Sequence, residues 1–310
     1  MNFALVVPTL NGGDKWKAAA AKISDQHCKP NKVLVIDSES SDATNEVTQS
    51  HGFGHLSIPQ KEFDHGGTRQ LAVEQLKEHQ VIVFMTQDAI LANDEALANL
   101  LKPFSDKKVA ISYGRQLPHK NANPIEAHAR YFNYPAESSI KSAKDIKNLG
   151  IKTAFCSNSF AAYRTSTLLK LGGFPKKNIL SEDMLVGAKA ILKGYKIAYQ
   201  ADSLCYHSHD YSLLEESKRM FDIGVFHRRN HWILEDFGSA HGEGFQFLKS
   251  ELTYIAQKKP LATPGAVMRT GVKFLAYKTG FYENLFDCDI KSKLSRNKSY
   301  WLQPEKLKTP

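Results

Sequence analysis

Short apolar segments alternate with helix-forming segments along the first third of the chain. Residues 3–7, 32–36, 81–85 and 109–113 are rich in the β-branched and aromatic side chains that favour strands. The segments between the first three strands have helical character at residues 15–24, 42–50 and 67–78. Alternation of this kind predicts an α/β fold, with a parallel sheet and helices on its faces.

The pattern changes beyond residue 115. Residues 120–150 are polar and lack a clear period, which predicts a long excursion beside a functional site, because such loops are usually functional or disordered. Later strands are predicted at residues 153–163, 196–199 and 203–206, and helices at 165–171, around Asp183, and at 213–232, 244–256 and 267–285. We therefore expect one domain over residues 1–212, with halves 1–115 and 116–212, and a helical region over 213–310.

The composition is that of an ordinary globular protein. The 310 residues are 42% hydrophobic and 24% charged, which allows a sizeable core. The four cysteines lack a metal-type spacing, and the first apolar segment is too short for a signal peptide and is followed by Pro8. No segment approaches the roughly 18 apolar residues of a spanning helix. We expect a cytoplasmic protein with free thiols that does not cross a membrane.

The positive charge is concentrated near the C-terminus. The net charge is +9, and residues 256–310 carry eleven Lys or Arg against four acids, an excess of seven. A basic region of this kind suits nucleic acid or an anionic membrane surface, and an ordinary solvated face is an equal alternative.

Polar residues follow three of the predicted strands, at the edge where α/β sheets bind ligands. They are Pro8-Thr9, Asp37-Ser38 and Thr86-Gln87-Asp88. Asp37 is able to accept a hydrogen bond from a nucleobase N–H or a ribose hydroxyl. Asp88 is able to ligate a divalent cation that bridges two phosphates, although a surface loop acid is an equal alternative.

Two further motifs carry groups that bind anions or metals. Residues 63–69, Phe-Asp-His-Gly-Gly-Thr-Arg, join glycines to a helix start, where backbone N–H groups and the Arg69 guanidinium suit phosphate. His207 and His209 follow a strand, and alternation along it puts both imidazoles on one face. One of them could ligate a metal, although an isolated histidine is more often structural.

Glu182 and Asp183 open a predicted helix soon after Gly172-Gly173-Phe174. A carboxylate at such a helix start, at the edge of a pocket, could take a proton from a substrate hydroxyl. The alternative is that both acids only complement the helix dipole.

These motifs together resemble one enzyme family. They occur in consistent order as Val7-Pro8-Thr9-Leu10-Asn11, Ile36-Asp37-Ser38, residues 63–69, Thr86-Gln87-Asp88-Ala89, Gly172-Gly173-Phe174, Glu182-Asp183 and His207. The chain resembles the inverting family 2 glycosyltransferases of GT-A fold, and within them the bacterial rhamnosyltransferases that use a dTDP-sugar. It departs from the common pattern at Gln87-Asp88, where two acids usually flank one residue.

The resemblance implies a Rossmann-like, nucleotide-binding mixed sheet flanked by helices, with a helical C-terminal extension. Residues 1–115 would bind the nucleotide sugar and residues 116–212 the acceptor. The donor-binding residues it implies are Pro8, Thr9, Asn11, Asp37, Ser38, Arg69, Gln87 and Asp88. Asp183 would be the catalytic base, and Glu182, Gly173 and Phe174 would orient it or lie on the acceptor side. Asp88, with His207 or His209, would hold Mg²⁺ or Mn²⁺.

The implied reaction moves L-rhamnose from dTDP-β-L-rhamnose to a hydroxyl of a saccharide or lipid-linked saccharide, with inversion of the anomeric configuration. This transfer would be a step in the synthesis of a cell-surface polysaccharide. A UDP- or GDP-linked donor is one alternative. A nucleotidyltransferase is another, but residues 11–15 only partly imitate its glycine-rich loop. A non-catalytic saccharide- or membrane-binding protein would not need Asp37, Asp88, Asp183 and His207 together. We expect no nucleic-acid partner.

Bases and apolar residues interleave at residues 267–278. Their helical spacing predicts either a helix packed on the catalytic domain or a helix at an anionic membrane surface. The second alternative would put a peripheral enzyme on the inner face of the cytoplasmic membrane, beside a lipid-linked acceptor.

Overall fold

The computed structural model describes residues 1–238 and 241–302. Its strands are β1 (Phe3–Thr9), β2 (Lys32–Asp37), β3 (Gly54–Ser57), β4 (Val81–Met85), β5 (Ile90–Leu91), β6 (Val109–Leu117), β7 (Ser139–Lys141), β8 (Phe160–Arg164) and β9 (Lys196–Tyr206). Its α-helices are α1 (Gly13–Ser24), α2 (Thr44–Ser50), α3 (His65–Gln75), α4 (Ala96–Leu101), α5 (Pro124–Asn133), α6 (Ile146–Leu149), α7 (Thr165–Lys170), α8 (Glu182–Leu192), α9 (Leu213–Arg229), α10 (His231–Phe237), α11 (His241–Lys258), α12 (Thr263–Phe281), α13 (Cys288–Leu294) and α14 (Lys298–Trp301).

The strands form one mixed sheet in the order β3-β2-β1-β4-β8-β6-β9-β5, with β7 beside β9. Strands β3, β2, β1 and β4 are parallel, and this confirms the α/β prediction for the first part of the chain. Strand β8 runs antiparallel to both β4 and β6. Thr9 pairs with Asp37 in the register of β1 and β2, so these two strands end side by side.

The hydrophobic core covers both faces of the sheet. Alternate residues of β1 belong to different clusters, with Phe3, Leu5 and Val7 in one and Ala4 and Val6 in the other. The second cluster also contains Phe221, Phe226 and Trp301. The helices after residue 212 therefore share their core with the sheet.

Two glycines let the C-terminal helices α9 and α12 pack closely. A Cβ atom on Gly224 would lie 2.1 Å from the Tyr277 carbonyl oxygen, and one on Gly280 would lie 1.9 Å from the Phe221 carbonyl oxygen. Asp222 of α9 accepts hydrogen bonds from the Ser295 hydroxyl and the Arg296 N–H, which fix the segment after α13. None of the described helices is both long and apolar enough to cross a membrane. Lys306 and Lys308, part of the predicted basic region, lie outside the described residues.

Several predicted elements differ from the structure. The predicted strand at 153–163 is wrong over its first half, because residues 150–154 form a 3₁₀ helix and the polar turn 157–159 precedes β8. The polar excursion 120–150 contains α5, β7 and α6. The two short strands predicted near residue 200 are one strand, β9. Strands β3 and β5 were not predicted, because four and two residues are too short to show a period.

Candidate active site

Asp88, His207 and His209 form a compact cluster of potential metal ligands. Asp88 Oδ1 lies 3.4 Å from His207 Nε2, and Asp88 Oδ2 lies 3.6 Å from His209 Nδ1. The short strand β5 explains the proximity, because Ile90 pairs with Tyr206 and so brings the turn after β4 to the end of β9. The structure thus brings Asp88 to two histidines that follow it by more than a hundred residues in sequence.

The charge state of this cluster suits a divalent cation. Burial acts to raise the pKa of Asp88, but the close approach of His207 and the positive charges that His207 and His209 carry when protonated lower the pKa overall. Burial lowers the pKa of His207, and burial together with His207 lowers that of His209 to about 3. His207 Nε2 is buried and has no hydrogen-bond partner among the described residues. A carboxylate beside neutral imidazoles, one with an unused ring nitrogen, fits a metal-ligand set.

Asp183 lies in the first turn of α8, and both carboxylate oxygens accept backbone hydrogen bonds. Oδ2 accepts from Asn158 N at 3.0 Å, and Oδ1 accepts from Met184 N at 2.8 Å. Burial and the charge of Glu182 raise the pKa of Asp183 to about 6. A partly exposed carboxylate whose pKa lies close to neutral pH is suited to take a proton from a hydroxyl.

Glu182 points away from solvent into a buried ion pair. Its Oε1 lies 2.9 Å from Arg69 Nη1, and the same oxygen accepts a 2.9 Å hydrogen bond from the Asn158 side chain. Arg69 also donates to the His65 carbonyl oxygen at 2.9 Å, and its side chain is only 5% exposed. The sequence predicts that Arg69 binds the donor and that Glu182 orients the base or lies on the acceptor side. In the structure Arg69 neutralises Glu182, and its contact with a donor stays a prediction.

The loops after β1 and β2 are tied together at the edge predicted to bind the nucleoside. Asp37 is buried, and its carboxylate accepts hydrogen bonds from the Thr9 hydroxyl at 2.8 Å and from the Ser40 hydroxyl and N–H at 2.6 and 2.8 Å. Asn11 contributes too, because its side-chain oxygen accepts from Ser41 N at 2.8 Å. Pro8 lies in β1 beside Ile36, and the buried Ser38 hydroxyl has no described partner.

Backbone strain is concentrated in the loops around these groups. The described non-glycine residues with positive φ are Asn11, Glu39, Lys177 and Ser181. Two of them follow β1 and β2, and the other two lie in the loop that leads into α8. Such conformations often mark functional loops, because the surrounding structure must hold them in place.

Three predicted residues have clear structural roles. The Gln87 side chain pairs with the Leu10 backbone, accepting from its N–H at 2.8 Å and donating to its carbonyl at 3.0 Å. Gly173 has a φ of +70°, and a Cβ there would lie 2.0 Å from Gln70 Oε1. Phe174 is buried against Phe84. The roles predicted for Gly173 and Phe174, to orient the base or to lie on the acceptor side, stay predictions, and so does donor binding by Gln87.

Sequence reasoning missed four residues at the site. They are Gln116, Arg130, Asn158 and Arg219. Asn158 lies in a segment predicted as strand, and the break in apolar pattern at residues 157–159 is the signal that could have revealed a turn. Arg219 of α9 is exposed and has no hydrogen bond or ion pair to any of the described residues. Burial is the main cause that lowers the pKa values of His65, His207 and His209. The positive charge of Arg219 is one of the smaller causes that also lower them.

Comparison with known proteins finds relatives along nearly the whole chain. The sequence model of Glycosyl transferase family 2 matches residues 4–172. O-antigen chain rhamnosyltransferase RfbN of Salmonella typhimurium is 47% identical over 302 residues, which are 97% of this chain and 96% of the relative. O-antigen chain rhamnosyltransferase WbaN of Salmonella anatum is 47% identical over 301 residues, with the same coverage.

Solved structures share the fold at low sequence identity. A mannosyltransferase from Pyrobaculum calidifontis, in complex with GDP-Man and Mn²⁺, is 17% identical with a TM-score of 0.61, covering 91% of this chain and 87% of that chain. S. aureus TarS in complex with UDP-GlcNAc is 16% identical with a TM-score of 0.53, covering 93% of each chain.

Proposed function

The chain belongs to glycosyl transferase family 2, and from this premise we propose that it moves L-rhamnose from dTDP-β-L-rhamnose to a saccharide hydroxyl in O-antigen synthesis. The two relatives named as O-antigen chain rhamnosyltransferases support the sugar and the pathway. The fold is GT-A, with a helical C-terminal region.

The arrangement of Asp183 carries the mechanistic part of the proposal. Its carboxylate takes the proton of the acceptor hydroxyl while that oxygen attacks the anomeric carbon from the face opposite the diphosphate, which inverts the configuration. The pKa of about 6 supports this role, because the group is mostly ionised at neutral pH yet more basic than an ordinary aspartate. Glu182, Arg69 and Asn158 hold the helix start that carries the base.

The leaving diphosphate needs charge compensation. Asp88, His207 and His209 would hold Mg²⁺ or Mn²⁺, and the bound cation would offset the negative charge that develops on the leaving group. The mannosyltransferase with GDP-Man and Mn²⁺ supports a divalent metal in this fold. Arg219 has an exposed guanidinium whose charge contributes to lowering the pKa of His207, and it would supply a second positive charge toward the same group.

The acceptor is a saccharide, and we extend the proposal to a lipid-linked one at the cytoplasmic face of a membrane. Exposed apolar residues recur every seven positions on α12 and beside it, at Leu261, Met268, Leu275 and Tyr282. Large exposed apolar patches often mark interaction surfaces. Some of the nearby charge is neutralised, because Arg269 pairs with Glu216 at 2.5 Å and Lys273 lies 3.9 Å from Glu251. Apolar contact therefore contributes to membrane binding along with the exposed bases Lys258 and Lys259.

Donor selection by the purified protein tests the proposed function. The protein is incubated with dTDP-β-L-rhamnose and with a panel of UDP- and GDP-sugars, and the free nucleoside diphosphate is measured. We expect release of dTDP, increased by a saccharide acceptor and lost in the Asp183→Asn variant. Release from UDP- or GDP-sugars alone would contradict the rhamnosyl donor while leaving the reaction class intact.

A further inference from the structure

Gln116 connects the metal-ligand cluster to the rest of the site. It lies near the end of β6 and is buried. Its side-chain oxygen Oε1 lies 2.8 Å from His207 Nδ1 and 2.9 Å from Arg130 Nη1. Its side-chain Nε2 donates to the Ser157 hydroxyl at 2.9 Å. One buried amide thus contacts a potential metal ligand, a guanidinium and the turn beside the catalytic base.

The guanidinium of Arg130 determines which way this amide points. Arginine has N–H donors and no acceptor, so the Gln116 atom that faces it must be the oxygen. The same oxygen faces His207 Nδ1, and an oxygen without a hydrogen only accepts hydrogen bonds. His207 Nδ1 must therefore carry a hydrogen. In a neutral imidazole with its hydrogen on Nδ1, the lone pair lies on Nε2.

Nε2 is the His207 nitrogen that faces Asp88, at 3.4 Å from Oδ1. It is also the buried atom that has no hydrogen-bond partner among the described residues. The hydrogen bond at one ring nitrogen of a metal-ligating histidine commonly fixes the tautomer and the orientation of the ring. In the neutral imidazole, the contacts of Gln116 thus place the lone pair on Nε2, at the side of the ring that faces Asp88.

Helix α5 supports both histidines through one ion pair. Glu126 Oε1 lies 3.2 Å from Arg130 Nη2, and the two residues are one turn apart on the helix. The same oxygen accepts a 3.0 Å hydrogen bond from the backbone N–H of His209. The Glu126–Arg130 pair therefore holds the His209 backbone on one side and the Gln116 amide on the other.

We propose that Gln116, oriented by Arg130, is a positioning residue that keeps His207 in the Nδ1–H tautomer, with Nε2 free for a divalent cation. The inference rests on the metal role of the proposed function. The tautomer itself is a property of the protein without metal or donor, so it is measured independently of sugar transfer.

NMR of protein with ¹⁵N-labelled histidine, without metal and at neutral pH, measures the tautomer directly. The His207 signals are assigned by their loss in the His207→Gln variant. We expect a protonated Nδ1 and an unprotonated Nε2 in the wild type. A His207 with its hydrogen on Nε2 would overturn the proposal, whatever the activity of the enzyme.

A pair of variants then separates positioning from simple packing. Gln116→Glu keeps an oxygen that accepts from His207 and pairs with Arg130, whereas Gln116→Leu removes the acceptor. We expect Gln116→Leu to weaken the binding of Mn²⁺ alone, measured by electron paramagnetic resonance, by about 10- to 100-fold. Loss of a hydrogen-bond partner of a metal ligand commonly has an effect of this size. Gln116→Glu should bind Mn²⁺ within a few-fold of the wild type.

Two outcomes of the titration would overturn the role of Gln116. One is wild-type Mn²⁺ affinity in a folded Gln116→Leu variant, and the other is equal weakening in both variants. If the wild type itself bound no Mn²⁺, the metal part of the proposed function would fail, and the inference for Gln116 would fail with it even if the NMR tautomer were as expected.

Discussion

The backbone N–H of Asn158 donates a 3.0 Å hydrogen bond to Oδ2 of Asp183. Asn158 is the middle residue of the turn 157–159, and its two neighbours contact the metal-ligand side of the site. The Ser157 hydroxyl accepts from Gln116, and the Ser159 carbonyl oxygen accepts from Thr86 N at 3.3 Å, two residues before Asp88. One turn therefore contacts both the proposed base and residues that adjoin the proposed metal ligands.

The pKa of Asp183 predicts the acid side of the pH profile. The base acts only when ionised, so kcat/KM should fall about tenfold per pH unit below pH ~6, the raised pKa of this carboxyl. Glu182→Gln removes the negative charge that helps to raise this pKa, so the profile should shift to lower pH.

Asp222 provides the matched control for this profile. Burial raises the pKa of Asp222 to about 6 as well. Its carboxylate, however, contacts Ser295 and Arg296 in the segment after α13. Asp222→Asn should leave the acid side of the profile unchanged. If the profile shifted in Asp222→Asn and not in Glu182→Gln, the ionisation would belong to Asp222 and not to Asp183.

The Arg69–Glu182 pair should contribute to stability as a unit. Removal of one partner leaves a buried unpaired charge, so Arg69→Met should lower the free energy of unfolding by about 3–5 kcal/mol in urea titrations. The double variant Arg69→Met/Glu182→Gln should recover part of this loss, because no buried charge remains. Lys196→Met, which breaks the more exposed pair with Asp106, should cost less than about 1 kcal/mol. Equal losses for Arg69→Met and Lys196→Met would argue against the buried pair.

Metal removal should stop the reaction. Among the described residues, Asp88 is the only carboxylate that clusters with His207 and His209, so Asp88→Ala should abolish Mn²⁺ binding and lower turnover. EDTA should inactivate the wild type until Mg²⁺ or Mn²⁺ is added. Asp94→Ala, in the exposed group of His27, Asp94 and Glu95, is the control and should retain Mn²⁺ binding and activity. Full activity in EDTA would instead assign the leaving-group charge to basic side chains such as Arg219.

Arg219 should matter for catalysis and little for folding. Its exposed guanidinium has no partner among the described residues, so Arg219→Ala should reduce kcat/KM by at least tenfold without a change in melting temperature. Arg228→Ala is the matched control, because Arg228 lies on the same helix, is exposed and packs over the Phe281 ring. An equal effect of the two substitutions would show that the loss in kcat/KM comes from the lower net positive charge and not from the position of Arg219.

Membrane binding should depend on the exposed stripe of α12. Met268→Glu/Leu275→Glu should reduce flotation with anionic liposomes, because the two side chains are 62% and 65% exposed and contribute apolar contact. Leu192→Glu, an exposed position at the end of α8, is the control. Point substitutions are preferable to deletion of residues 256–310, since α12 packs tightly on α9. Equal recovery with neutral and anionic liposomes, or no binding, would contradict an anionic membrane partner.

The sequence predicted the parallel half of the sheet because β1, β2 and β4 are buried, continuous apolar runs. It also indicated Asp88, His207, His209 and Asp183, since each follows a strand or opens a helix. It did not reveal that Arg69 forms an ion pair with Glu182, or that Gln116 contacts His207. Those contacts depend on side-chain directions between helices and strands that are far apart in sequence, and local periodicity carries no information about them.

In the proposed mechanism, Asp183 is the base in an inverting rhamnosyl transfer. Its most direct test is turnover of dTDP-β-L-rhamnose by Asp183→Asn, whose amide oxygen is still able to accept the hydrogen bond from Asn158 N. We expect kcat to fall by about 10²- to 10⁴-fold with donor affinity nearly unchanged, because the variant loses only the proton acceptor. Turnover like that of the wild type would show that Asp183 is not the base.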